Sequence, residues 1–273
     1  MDSNASKTVS KQRGVTNCVI NLTKTFITPT QAALLVNATL ENIMLFSGQI
    51  PFGFPVFKER VRQATKDQEN QPKNAQNWSS SMQSKQLEAA KGIVDAISTI
   101  KENVIKEFKK TVIKEVVIGF GSTIFSLKHA FVIRLPKVDQ NHYCSSHERE
   151  NVSLIMNFSR QLALSEAIST EIDGKSQKIF LLLRKSGENQ SVEEFFRPMP
   201  GFQLPKNCKT VCLEVLLKEA EEKKDENCCK MMKICSEVTN LKIESSEVEA
   251  ESVKDACNWF ISSLPITGMK KSF

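Results

Sequence analysis

Catalytic and metal-binding signatures are scarce in this sequence. It has only three histidines, and none of its eight cysteines stands in a Cys-x-x-Cys pair. Zinc-binding motifs usually take their ligands from such closely spaced pairs. The sequence also lacks a glycine-rich loop with the lysine and spacing of a nucleotide-binding P-loop. We therefore expect no metal, no other cofactor and no enzymatic activity.

Long apolar segments are missing as well. No stretch approaches the roughly 18 apolar residues of a membrane-spanning helix. Residues 1–14 are polar and basic, without the apolar segment of a secretory signal peptide. We therefore expect an intracellular protein with no membrane partner, whose cysteines remain free thiols in a reducing compartment.

A strong excess of charge of either sign is also missing. The chain has 37 lysines and arginines against 31 acidic residues, which gives a net charge of +6. Nucleic-acid-binding surfaces interleave basic side chains with exposed aromatic ones. The lysine-rich stretch 101–114 has a single aromatic residue, Phe108. We interpret this stretch as the solvated end of a helix and expect no nucleic-acid partner.

Two clusters leave a catalytic or metal-binding alternative open. In the sequence HYCSSH, His142 and His147 flank Cys144, and a Cys/His dyad could supply a nucleophile and its base. We interpret this segment as an exposed connector, because proximity in sequence does not set the geometry of a dyad. The second cluster could supply four zinc ligands, Cys228, Cys229, Cys235 and Cys257. Their spacing fits the known zinc motifs poorly.

Helical segments are marked by apolar residues at helical spacing. Pro29 stands at a predicted helix start, where its missing N–H costs nothing, and Gly48 stops that helix. We predict one short and three long helices: 29–46, 57–61, 85–110 and 148–166.

Runs of β-branched and aromatic residues predict the strands. These are 115–121, 129–136, 178–185, 208–217 and 257–266, of which the first two form a hairpin. Helices clustered against such strands indicate an α+β fold, with a mostly antiparallel sheet packed against about three helices.

Polar segments bound this predicted domain. Residues 1–25 read as a flexible tail and 26–273 as a single domain. Within it, 64–84 is nearly free of apolar residues and is predicted to be a flexible loop, and 218–252 is predicted to be a charged insertion.

The segment EEFFRPMPGF, residues 193–202, is the most unusual in composition. Proline cannot donate a hydrogen bond to a central strand, so we expect the segment at an edge of the sheet or outside it. Phe195 and Phe196 are adjacent, and an extended backbone would point them to opposite faces. Its aromatic side chains could form a lid over the core, a ligand pocket or a docking site.

Three separated stretches, in this order, resemble one family. They are ENIMLFSGQIPF (41–52), EEFFRPMPGFQLPKNCKTVCLEV (193–215) and NWFISSLPITGMKK (258–271). Together they resemble the comet family of adapters, which bind the HORMA-domain spindle-checkpoint protein Mad-two. The resemblance extends over 26–217 and 257–271, and this chain would be a divergent member.

The resemblance implies a HORMA-like fold and a role in binding, without chemistry of its own. Such adapters recognise the closed conformer of Mad-two and dock along the helix that Mad-two would use for dimerisation. They then present it to a hexameric AAA+ remodelling ATPase, which disassembles the mitotic checkpoint complex and silences the spindle assembly checkpoint. The resemblance places the protein in the nucleus and cytoplasm, and at the spindle or kinetochore in mitosis.

The resemblance also implies two sets of site residues. The Mad-two-binding set is Phe46, Ile155 and Phe158. The ATPase-binding set is Arg197, Pro198 and Met199. Three of them depart from the family pattern, which has a glutamine where this chain has Phe46, a larger aromatic where it has Ile155 and a basic residue where it has Met199.

A second HORMA-type function stays open at this stage. Scaffolds of meiotic chromosomes or DNA repair close a C-terminal belt around a partner's peptide. The pairing of the predicted strand 257–266 would separate the two hypotheses, because a peptide-capturing belt must leave room beneath it.

Overall fold

An open mixed β-sheet with helices on one face forms the fold in a computed structural model of the chain. The structure describes residues 15–24, 26–69, 78–140, 151–168, 177–186, 195–218 and 257–269, and for 78–82 and 257 it describes the backbone alone. Within these ranges there are four helices: α1 Pro29–Phe46, α2 Phe54–Glu69, α3 Trp78–Lys110 and α4 Asn151–Leu164. The α+β prediction is therefore confirmed.

Eight strands make up the sheet in the described residues. They are β1 Val15–Thr23, β2 Ile113–Gly121, β3 Leu127–Arg134, β4 Lys178–Ser186, β5 Phe196–Pro198, β6 Lys209–Lys218, β7 Cys257–Ser262 and β8 Ile266–Thr267. Their order is β1-β6-β3-β2-β4-β7-β5, with β8 paired to β4. The β1–β6 and β3–β6 pairs are parallel and the others antiparallel, so the sheet is mixed.

Helix α1 begins and ends where the sequence predicts. The Thr28 hydroxyl accepts a hydrogen bond from the Gln31 amide, and the Gln31 side chain accepts one from the Thr28 amide, both at 3.2 Å. This reciprocal capping satisfies amide groups that the first helical turn leaves unpaired. At the other end Gly48 has φ 66°, a left-handed conformation that closes the helix with little strain.

Helix α2 is longer than the predicted 57–61. Phe54, Phe57 and Val61 are buried along one side of it, while its polar residues are mostly exposed. A narrow apolar stripe is enough to hold a helix whose other positions are good helix formers. The predicted flexible loop 64–84 is therefore wrong at both ends, which belong to α2 and α3, and 70–77 lies outside the described residues.

The N-terminal prediction needs a larger correction. The tail predicted for 1–25 includes β1, which pairs along its whole length with β6. Cys18, Ile20 and Leu22 alternate along this strand and are buried in the core. Their period of two is a strand signal. The predicted insertion 218–252 overlaps the described residues only at Lys218, the last residue of β6.

The core has one part on each face of the sheet. The larger part joins the helices to side chains such as Ile118, Phe131 and Leu183. The smaller part, on the opposite face, contains Val117, Val132 and Leu182 and is covered by the chain between β5 and β6. The helical layer is built by contacts of α1 with α3 and α4, and of α2 with α3.

Candidate functional site

Helix α4 is fixed against the edge strand β1. The Gln161 carboxamide oxygen accepts a hydrogen bond from the Asn21 amide at 3.1 Å, and its nitrogen donates to the Asn21 carbonyl at 2.8 Å. Four residues after Gln161, the Ser165 hydroxyl donates to the Cys18 sulfur at 3.0 Å. Because the helix advances while the strand position falls from 21 to 18, α4 runs antiparallel to β1.

Helix α1 holds the other side of α4. The Asn42 side-chain amide donates to the Ser159 hydroxyl at 3.1 Å. Leu154, Phe158 and Leu162 are buried beneath the helix, at the spacing of one helical face. These contacts leave the outward side of α4 without a partner among the described residues.

Three large apolar side chains lie on this outward side, which also carries the exposed Ser153 and Arg160. Val152 is 67% exposed, Met156 62% and Leu164 78%, although all three are large and apolar. Their spacing places them within an arc of roughly 120° on the helix surface. We call these three residues the α4 stripe. Exposed apolar groups gathered on one face mark interaction surfaces more often than scattered ones.

The predicted Mad-two-binding residues differ in their accessibility. Phe46 is 44% exposed at the end of α1, one turn beyond Asn42, and therefore lies on the side of α1 that faces α4. Ile155 is half-buried against the core. Phe158 is 0% exposed, so the prediction that it contacts a partner is wrong for this conformation.

The α4 stripe is absent from the predicted set, although the sequence contains a signal for it. The apolar residues of 148–166 occupy a wider arc than a core-facing helix needs. Which part of that arc faces the core depends on how α1 and β1 pack against the helix.

A second candidate site lies at the opposite edge of the sheet. Strand β5 pairs only with β7 among the described strands, so its other edge is open. Arg197 and Pro198 are exposed there, and Met199 is half-buried. The Met199 amide donates to the Trp259 carbonyl at 2.7 Å. The nitrogen of Pro198 then points to the open edge, where no ladder bond is lost. The predicted edge position of this segment is confirmed.

Aromatic packing gives β5 a rigid base. Phe196 is 1% exposed and meets Phe195 edge to face, with ring centroids 5.2 Å apart. Beneath it the Lys185 ammonium lies 4.2 Å from the centroid of the Phe260 ring. The same ammonium is 2.6 Å from a carboxylate oxygen of Glu107 in α3. The exposed Arg197–Pro198 tip thus follows a residue, Phe196, that packs on the buried Lys185–Glu107 pair.

The chain that follows β5 crosses the face of the sheet opposite the helices. Phe202 is buried there and meets Trp259 edge to face, with a centroid distance of 5.3 Å. The third phenylalanine of EEFFRPMPGF therefore covers the smaller part of the core. Gly201 has φ 70°, a left-handed conformation that permits the turn leading into it.

No protein-family model matches this chain, and no curated protein does. The comet resemblance therefore rests on the three stretches that carry it, and the HORMA-like fold remains a prediction. Of those stretches, 41–52 ends α1, 195–215 forms β5, the crossing segment and part of β6, and 258–269 forms β7 and β8.

The pairing of β7 bears on the second HORMA-type hypothesis. Strand β7 pairs with β4 of the same chain, with Phe260 opposite Leu183 and buried. Strand β8 continues this pairing on β4. The edge of β4 that a captured peptide could pair with is therefore occupied by residues 257–261 and 266–267 of the chain itself.

Chemically reactive groups are few in the described residues. These contain no group of three histidine, cysteine or acidic side chains arranged to hold a metal ion. Burial raises the pKa of the Cys208 and Cys212 thiols, which lowers their thiolate fraction near neutral pH. The predicted Cys/His segment, 142–147, and three of the four proposed zinc ligands lie outside the described residues. Among the described helices none is both long and apolar enough to cross a bilayer.

Proposed function

We propose that this chain is a HORMA-like adapter of the comet type. It binds the closed conformer of Mad-two and presents it to a hexameric AAA+ ATPase. Remodelling of Mad-two then disassembles the mitotic checkpoint complex and silences the spindle assembly checkpoint. The observation that carries the proposal is the exposed apolar stripe on α4.

The α4 stripe suits a partner that also presents a helix. Val152, Met156 and Leu164 project from one side of a regular helix, and such side chains fit between the ridges of a second helix. Removing each from water would contribute about 1.5–3 kcal/mol to binding at most. Phe46 is also exposed, at the end of α1 on the side that faces α4.

The position of the two candidate sites supports an adapter rather than a single-partner binder. Helix α4 lies along β1, and the Arg197–Pro198 tip is on β5, the other terminal strand of the sheet. Six spacings of about 4.8 Å separate these strands, or roughly 29 Å. Two proteins could therefore be held at once without competing for the same surface.

The Mad-two contact is tested by a binding experiment with conformers of Mad-two locked closed and locked open. The purified full chain should retain the closed form and not the open one. Met156→Asp should weaken retention more than about tenfold, because it would bury an unpaired carboxylate in an apolar contact. Gln68→Glu adds the same charge at an exposed position of α2, away from the stripe, and should change binding little.

Two results would contradict the proposal. Equal retention of both conformers would exclude conformer-specific recognition. Undiminished binding by Met156→Asp, with Gln68→Glu also unchanged, would exclude the α4 stripe as the docking surface. Ile155→Asp is a poorer test, because Ile155 packs against the core and its replacement would also affect folding.

A peptide-capturing scaffold is the other HORMA-type candidate, and no observation favours it. The strand that would form the end of a belt is paired to β4 along 257–261 and again at 266–267. We therefore retain the checkpoint adapter as the conclusion.

A further inference from the structure

A groove separates α2 from the first part of α3, away from both sites described above. Its volume is about 350 Å³, within the range of pockets that bind small ligands or side chains. One side is open to solvent. The walls are mainly apolar and come from α2, α3 and the segment before α2, with Met269 at one end; they include Phe52, Phe57, Val61, Ala64, Leu87 and Ala90.

A single cationic side chain lines this groove. The Arg60 guanidinium lies 4.1 Å from the centroid of the Phe52 ring, which holds it beside the apolar wall. No described carboxylate pairs with it. The neighbouring acid, Glu59, is bound instead to Arg62 through oxygen–nitrogen distances of 2.6 and 2.7 Å. These hydrogen bonds lower the pKa of Glu59 to about 2 and engage its carboxylate with Arg62 rather than with Arg60.

Two carboxamides line the same groove from α3. Gln83 and Gln86 both face it, and neither is hydrogen-bonded to another described side chain or backbone group. A carboxamide offers one acceptor and two donor hydrogens, which match the N–H and C=O of a peptide. Gln161 already binds a backbone in this way elsewhere in the chain, at Asn21.

We infer that the α2–α3 groove binds an extended acidic peptide segment of a partner protein. A bulky apolar side chain of the peptide fills the groove between Phe57 and Leu87. The peptide backbone lies along Gln83 and Gln86, and an aspartate or glutamate pairs with Arg60. The open side and the two carboxamides favour a peptide over a small amphiphilic acid, which needs no backbone partners.

This inference goes beyond the proposed adapter function and does not depend on it. Helix α2 packs on α3, whereas α4 packs on α1 and β1, so the two surfaces lie on different parts of the helical layer. A partner on the α4 stripe would leave the groove accessible.

The test uses the purified full chain and fluorescein-labelled octapeptides. In one series a central leucine, methionine, phenylalanine or tryptophan is flanked by glutamates, and in the matched series by glutamines. We expect at least one glutamate peptide to bind saturably by fluorescence polarisation, and its glutamine counterpart at least fivefold more weakly.

Variants of the chain locate the binding. Ala64→Trp, at an exposed lining position, should abolish it by filling the groove, and Gln86→Ala should weaken it two- to fivefold. Arg60→Gln should weaken the glutamate peptide about as much as the peptide's own change to glutamine. Lys66→Gln removes the same charge from an exposed position of α2 that does not line the groove, and should have no effect.

Several outcomes would overturn the inference. They are the absence of saturable binding in the glutamate series, equal binding of both series, and equal effects of Arg60→Gln and Lys66→Gln. Saturable binding of decanoate that Ala64→Trp removes, with no peptide bound, would assign the groove to a small amphiphile instead. Met156→Asp should leave peptide binding unchanged, which separates this inference from the checkpoint adapter.

Discussion

The Lys185 ammonium lies 2.6 Å from the Glu107 carboxylate, and the two side chains are only 3% and 5% exposed. The pair joins α3 to β4 and supports Phe196 and Phe260 from below. Two charges removed from water in this way compensate each other only as long as both are present. The base of the Arg197 tip therefore depends partly on Glu107, which is distant from it in sequence.

We predict that this pair is intolerant of single changes. Glu107→Leu would leave the Lys185 charge buried without its carboxylate and should lower the free energy of unfolding by about 3–5 kcal/mol. The double variant Glu107→Leu with Lys185→Met should recover most of that loss, because neither charge remains. Urea unfolding followed by circular dichroism measures both. A double variant no more stable than the single one would contradict this account.

The buried position of Phe158 gives a second prediction. Phe158→Ala should lower the free energy of unfolding by about 3–5 kcal/mol, because it leaves a cavity among α1, α4 and the sheet. Val152→Ala, on the exposed side of the same helix, should change it by no more than about 0.5 kcal/mol. Urea unfolding of the two variants measures both changes. A small effect of Phe158→Ala would restore this residue as a candidate contact.

The Gln161–Asn21 contact gives a third prediction. Gln161→Ala removes two hydrogen bonds to the edge strand and should cost about 1–2 kcal/mol of stability. Hydrogen exchange at the Asn21 amide should become faster, since the hydrogen bond to Gln161 is lost. Arg160→Ala, at the exposed residue just before Gln161 on α4, is the matched control. Unchanged exchange at Asn21 in Gln161→Ala would mean that the carboxamide does not protect this edge.

The Arg197 tip gives a fourth prediction, which rests on the proposed function. Arg197→Glu should abolish stimulation of the AAA+ ATPase while leaving the capture of closed Mad-two intact, because the residue is exposed at the edge opposite α4. Lys209→Glu changes an exposed charge at the start of β6 and serves as the control. Loss of Mad-two capture in Arg197→Glu would show that the two sites are not separate.

Helix α1 illustrates what sequence reasoning can predict. Its start depends on Thr28, Pro29 and Gln31, and its end on Gly48, all within the helix or next to it. Such signals act through neighbouring backbone groups, and so its bounds could be predicted without knowledge of the fold.

Strand β1 illustrates what sequence reasoning missed. Its alternating Cys18, Ile20 and Leu22 are a weak signal in a short polar region. The strand is stabilised by β6, whose Thr210 pairs with Val15 across most of the chain length. Parallel pairing of this kind needs a long connection and leaves no turn motif beside the strand.

The residues of this chain carry enough local information to predict most helices and strands, the α+β class and the edge position of EEFFRPMPGF. Hydrophobic period, capping groups and proline act over a few residues, which is why these features need no tertiary context. The packing of α1 and β1 against α4 decided that Phe158 is buried and Met156 exposed. Packing of α2 on α3 likewise placed Arg60 and Gln83 on the walls of one groove. A helix repeats its faces every turn, so only its neighbours determine which face meets solvent.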